Sequence, residues 1–159
     1  MALDASNIMT RDVVTVRPDD TVARVAKLLS EHEISAVPVC DDAGKVLGML
    51  SEGDLMRPFG QEHAAKRAWW LNLLAEGTDL APEFLEYIRL DNRRARDLMV
   101  TPVITAPADA AVPELADLLA RHRIKRVPIV QDGRLVGIVS RADVVRALAG
   151  GAAGLAAPI

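Results

Sequence analysis

The chain has 159 residues, half of them apolar, and a formal net charge of −3. That length admits one compact domain or two small halves sharing a core, and no apolar run approaches the roughly 18 to 20 residues that span a bilayer. Acids and bases are interspersed, so the whole chain has no drive toward nucleic acid or an anionic membrane.

The opening residues, Met1-Ala2-Leu3-Asp4, lack a basic stretch followed by an apolar one, and no secretory leader is expected. Val13 to Val16 is a short extended piece closed by Pro18. From Thr21 the apolar residues Val22, Val25, Ala26, Leu28 and Leu29 form a helical stripe, with Asp19, Asp20 or Thr21 available as N-cap. Ala36 to Cys40 is a short β run, and Pro38 inside it predicts an edge position or a bulge, because proline cannot donate to a ladder. Cys40, the single cysteine, suits a small core residue in a reducing compartment, which predicts a cytoplasmic protein. Asp41-Asp42-Ala43-Gly44 is a turn and Lys45 to Leu50 the returning strand. Ser51 then caps a second helix, with Asp54 three residues on completing a capping box.

The next stretch, 58–95, is longer than a linker needs to be. Ala64 to Glu76 reads as one helix and Pro82 opens another. Every aromatic residue lies here: Phe59, Trp69, Trp70, Phe84 and Tyr87. They either fasten the insert to the rest of the chain or form a subunit or partner interface.

After it the first pattern returns. Leu98-Met99 matches Ile8-Met9, and Val103-Ile104-Thr105-Ala106 matches Val13-Val14-Thr15-Val16. Ala111 to His122 matches Thr21 to His32, and Ile124 to Ile129 matches Ile34 to Val39. Gly137-Ile138-Val139-Ser140-Arg141-Ala142-Asp143 matches Gly48-Met49-Leu50-Ser51-Glu52-Gly53-Asp54. The register holds apart from one extra residue near Ala43. Each copy is ordered extended–α–β–β–α, and one copy alone is too small to bury enough surface, so two sharing a core explain the duplication. The tail from Gly150, rich in glycine and alanine, is expected to fray.

Two helices each followed by apolar-Val-Pro-apolar and Gly-x-x-Ser-x-x-Asp resemble a tandem of cystathionine beta-synthase (CBS) domains, a Bateman module. The resemblance covers Ile8 to about Arg57 and Leu98 to about Leu148. It implies an α+β fold in which two CBS repeats, 1–57 and 96–149, pack pseudo-symmetrically through their sheets. The helical insert is then 58–95 and the tail 150–159.

The resemblance also implies a regulatory module that senses an adenosine-containing ligand (AMP, ADP, ATP, NAD(H) or S-adenosylmethionine) in clefts between the repeats. In such pairs the Asp of each motif receives ribose hydroxyls, while the Ser and the helix N-terminus face phosphate; this assigns Ser51 and Asp54, and Ser140 and Asp143. A carboxylate can accept from two vicinal hydroxyls and a helix N-terminus favours an anion, so cap and ligand site are compatible. Val37-Pro38 and Val127-Pro128, with backbone near Thr15 and Thr105, are expected to line the base pocket, although Val37 and Val127 suit a core strand equally well. The repeats contain no aromatic side chain, so a purine would be held by aliphatic groups and backbone.

The two sites differ in charge. Lys125, Arg126 and Arg141 surround the second motif and can bind phosphate, whereas Ser35, Ala36 and Glu52 stand at the matching places in the first. Phosphorylated nucleotide is therefore expected at Ser140 and Asp143. His32 and His122 sit at matching helix ends, where they favour the negative end of the dipole.

No nucleophile elbow, Walker loop or Cys/His cluster of metal spacing occurs. The chain is expected to be no enzyme, to require no cofactor beyond a bound adenine nucleotide, to hold no metal, and to pair as a homodimer through CBS helices, with an effector protein reading its state. The alternative is a structural dimerisation module with vestigial clefts. Nucleic-acid binding through Arg93, Arg94 and Arg96 or the Arg121–Arg126 cluster is disfavoured, since the charges are local and no aromatics are there to stack.

Overall fold

The computed structural model describes residues 3–56 and 93–150. The two helices expected in the insert, all five aromatic residues and the tail past Gly150 lie outside the described residues. Gly150 itself ends a helix.

Eleven elements are described in chain order: α1 (Ala5–Ile8), α2 (Val22–Glu31), β1 (Ala36–Cys40), β2 (Val46–Ser51), α3 (Glu52–Met56), α4 (Ala95–Leu98), β3 (Ala106–Pro107), α5 (Val112–Arg121), β4 (Arg126–Gln131), β5 (Arg134–Ser140) and α6 (Arg141–Gly150). The α+β class holds, with the same helix–strand–strand–helix order in each copy.

The described residues fall into two compact units. One comprises residues 14–42, 46–56 and 93–103. Here β1 and β2 pair antiparallel, from Ala36 opposite Ser51 to Cys40 opposite Val46. The extended piece before Pro18 adds one parallel bridge, Val16 to Val39. Thr21 caps α2 by accepting from the Arg24 amide at 3.1 Å. Val16, Val22, Val25, Leu29, Val37, Val39, Leu50 and Leu55 form the core beneath.

Pro38 lies on an edge strand, since β1 has β2 on one side and only the single Val16 bridge on the other. Its carbonyl accepts from Val16 N at 3.1 Å, and the N and C=O of one strand residue point to the same side. The ring nitrogen therefore faces the Val16 segment rather than β2, and no ladder bond to β2 is lost. The irregularity falls one residue on, between Val39 and Cys40, and recurs in the second copy between Ile129 and Val130.

The second unit comprises residues 3–13, 43–45 and 104–150. Its sheet has the order β3-β4-β5, with β3 parallel to β4 and β4 antiparallel to β5. Asp132 and Gly133, both at positive φ (53° and 78°), turn β4 into β5, as a two-residue hairpin demands. Ala5, Ala106, Val112, Leu115, Leu119, Val127, Ile129, Val139 and Val144 make its core.

The units cut across the sequence repeats. The residues that open the first copy pack on the second: Ala5 N donates to Ala110 O at 2.8 Å, and Thr10 and Ile138 exchange bonds of 2.9 and 3.0 Å. The residues that open the second copy pack on the first: Ala95 N donates to Asp20 O at 2.8 Å, and Met49 and Val100 exchange bonds of 3.1 and 2.8 Å. The short helices α1 and α4, which hydrophobic periodicity did not reveal, carry these contacts.

This exchange explains the glycine of each motif. A Cβ on Gly48 would stand 2.6 Å from Met99 Sδ and 2.9 Å from Met99 Cβ, and one on Gly137 would meet Met9 in the same way. Each Met covers the returning strand at the point where a side chain is missing.

Candidate ligand site

The strand β5 ends at Ser140 and α6 begins at Arg141, so the motif lies at a strand-to-helix corner. Asp143 N donates to Ser140 Oγ at 3.2 Å, and Asp143 Oδ2 accepts from Ser140 N at 2.8 Å. These reciprocal bonds are the expected capping box. They hold a carboxylate that is only 7% exposed. The first motif repeats the arrangement: Asp54, 6% exposed, accepts from Ser51 N at 2.8 Å and donates its own amide to Ser51 Oγ at 3.3 Å. Among the described residues these two aspartates are the buried polar side chains. Burying a carboxylate is unfavourable unless hydrogen bonds compensate it, and the cap supplies them in both copies.

The basic residues of the second copy gather at this corner. Arg141 N donates to Lys125 O at 3.0 Å, Arg126 pairs with Ser140 across the ladder, and Arg141 Nε donates to Ile124 O at 3.2 Å. The backbones of Lys125, Arg126, Ser140, Arg141 and Asp143 thus meet at one corner. The first copy brings Ser35, Ala36, Ser51, Glu52 and Asp54 together by the same two pairings: Glu52 N donates to Ser35 O at 3.0 Å, and Ala36 lies opposite Ser51. The backbone is shared and the charge is reversed.

Other expected positions are placed differently. Val37 and Val127 have no exposed surface and belong to the two cores; Pro38 and Pro128 are buried beside them. Thr15 and Thr105 are exposed and precede Val16 and Ala106, which pair with β1 and β4. Thr105 stands at the start of β3, on the opposite side of β4 from β5, two strand spacings or about 10 Å across the sheet.

Sequence reading missed Arg146. Its Nη2 pairs with Asp143 Oδ1. The available signal was its position, three residues after the aspartate on the same helix, where side chains meet.

A sequence profile described as "CBS domain" matches residues 5–59 and 95–150. The chain belongs to the CBS domain family. Hypoxic response protein 1 of Mycobacterium tuberculosis is 28% identical over 144 residues, covering 91% of this chain and 84% of that protein. The solved CBS domain pair of protein MJ0100, in complex with 5′-methylthioadenosine and S-adenosyl-L-methionine, has a similar fold with a TM-score of 0.71 at 23% identity, covering 95% of this chain and 99% of that one. CBSX2 in complex with AMP has a TM-score of 0.70 at 24% identity, covering 92% and 96%. The helices of this CBS pair include none long and apolar enough to cross a membrane, and no group of three or more metal-ligating side chains occurs, both among the described residues.

Proposed function

We propose that this CBS pair is a regulatory module that binds an adenosine-containing ligand through Asp143, with Ser140 and the start of α6 facing phosphate. The carrying observation is a buried carboxylate, held by a cap, beside Lys125, Arg126 and Arg141. A ribose diol supplies the donors that such a carboxylate accepts, and the three cations with the N-terminal turn of a ten-residue helix suit phosphate. Proteins of this fold that hold AMP, or 5′-methylthioadenosine and S-adenosyl-L-methionine, support the ligand class. The first site, with Glu52 in the place of Arg141, takes phosphate poorly. Thr105 and the backbone of Val127 and Pro128 are assigned to the base, and Thr15, Val37 and Pro38 to the matching place at the first site. No catalytic step is assigned to the chain, and its place is the reducing cytoplasm, with an effector protein reading the bound state.

Thermal unfolding against AMP, ADP, ATP, NADH and S-adenosylmethionine tests this. A ligand at about a hundred times its Kd adds roughly 2.7 kcal/mol, about 5 to 10 °C here. The shift is expected in the wild type and in Asp54→Asn and is lost in Asp143→Asn. Loss in Asp54→Asn alone would reverse the ranking of the sites, and no shift with any ligand at millimolar concentration would end the reading.

A second reading is a structural dimerisation module. Val145 and Leu148 favour it, being 63% and 45% exposed one turn apart on α6. Sedimentation of Val145→Asp/Leu148→Asp separates the two readings: a dimer that dissociates while no ligand shifts the wild type leaves assembly as the function.

A further inference from the structure

The two oxygens of Asp143 have partners of different kinds. Oδ2 accepts from the Ser140 amide at 2.8 Å, a bond that belongs to the start of α6. Oδ1 is paired with Nη2 of Arg146, whose side chain is 72% exposed. The neighbouring cation Arg141 is turned elsewhere, its Nε on Ile124 O. In the first copy Asp54 Oδ2 accepts from both the Ser51 amide at 2.8 Å and the Ser51 hydroxyl at 2.9 Å.

We infer that Arg146 is a positioning residue that latches the ligand-free site: it holds Oδ1 of Asp143 and must yield that oxygen to a ribose hydroxyl. The inference rests on the adenosine-binding reading above and deepens it. A buried carboxylate stripped of donors is unfavourable, so the site needs a stand-in cation when empty. With its cation in solvent, a pair one turn apart on a helix is weak enough for a ligand to displace. The cap bond to Oδ2 is structural and stays. The latch therefore handicaps ligands that reach Oδ1 with a hydroxyl and leaves others unaffected.

Titration calorimetry with adenosine tests the latch without phosphate attraction confusing the result, and 2′,3′-dideoxyadenosine serves as the ligand that cannot use Oδ1. Arg146→Ala and Arg146→Gln are expected to bind adenosine about two- to five-fold tighter than wild type. Arg146→Lys, which keeps a cation in reach, returns toward wild type, and dideoxyadenosine binds all four proteins alike. In the wild type alone, raising salt weakens the exposed pair and tightens adenosine, an effect absent from Arg146→Ala. Unchanged or weaker adenosine binding in Arg146→Ala, or an equal gain for dideoxyadenosine, overturns the latch while leaving adenosine binding standing. Failure of the wild type to bind either adenosine or AMP overturns the adenosine reading, and the latch with it.

Discussion

Asp143 and Asp54 each have a structural duty that is measurable without a ligand. Their carboxylates close the first turns of α6 and α3 by bonding the Ser140 and Ser51 amides. Asp143→Ala is expected to lower stability by about 1–2 kcal/mol in the absence of nucleotide, read from urea denaturation; an unchanged midpoint would show that the cap contributes nothing. Asp143→Asn keeps an acceptor oxygen and is the better variant for judging ligand binding. Cys40 makes a different prediction. It is 4% exposed at the end of β1, and burial, helped by the nearby Asp41 charge and opposed by Arg17, pushes its thiol up from 9.0 to about 11. The folded state therefore favours the neutral thiol. That contribution is complete below about pH 9 and is lost as pH rises through 11, amounting to at most about 3 kcal/mol. Stability of the wild type should fall more steeply over this window than that of Cys40→Ala. At pH 7.5 the thiol should react with a disulfide reagent only on unfolding.

Helix ends show how closely the copies agree. After α2, Glu33 N donates to Ser30 O and Ile34 N to Leu29 O; after α5, Arg123 N donates to Ala120 O and Ile124 N to Leu119 O. Both are Schellman closures, and both put a non-glycine residue at φ 53°. Left-handed backbone disfavours a Cβ by roughly 1–2 kcal/mol, against the 0.5–1 kcal/mol or so of extra chain entropy that glycine loses. Glu33→Gly should thus stabilise the protein by about 0.5 kcal/mol, a small rise in melting temperature; a fall would mean that the Glu33 side chain holds a contact worth more than the strain. The strands give the opposite case. Gly48→Ala and Gly137→Ala push a methyl into Met99 and Met9, and each should lower stability by about 1–3 kcal/mol. Adding Met99→Ala to Gly48→Ala should recover part of that loss, which independent effects would not do.

At the scale of the molecule, the exchange of opening segments governs how damage spreads. Residues 3–12 belong by sequence to the first copy but contribute Ala5, Ile8 and Met9 to the core beneath β4 and β5. Deleting residues 1–11 should accelerate amide exchange first at Ile138 and along α5, with β1 and β2 retaining protection longer. Equal or greater loss at Val37 and Leu50 would contradict this packing. The copy-by-copy legibility of the chain has a plain physical source. Helix periodicity, the Ser-x-x-Asp caps and the turn over Asp41 to Gly44 depend on residues close in sequence, and these stand where the sequence places them. The clustering of Lys125, Arg126 and Arg141 around Ser140 was legible for a related reason, since one antiparallel ladder joins β4 to β5. Other features depend on contacts across about 50 residues or more, which local pattern does not encode. These are the crossing-over of α1 and α4 and the reason that Gly48 and Gly137 are glycines. The sequence by itself thus determined the duplicated unit, its family and the Ser-x-x-Asp caps that open α3 and α6. Only the tertiary structure decided which copy each opening segment completes, because a short helix with few apolar residues finds its place through the partner it covers.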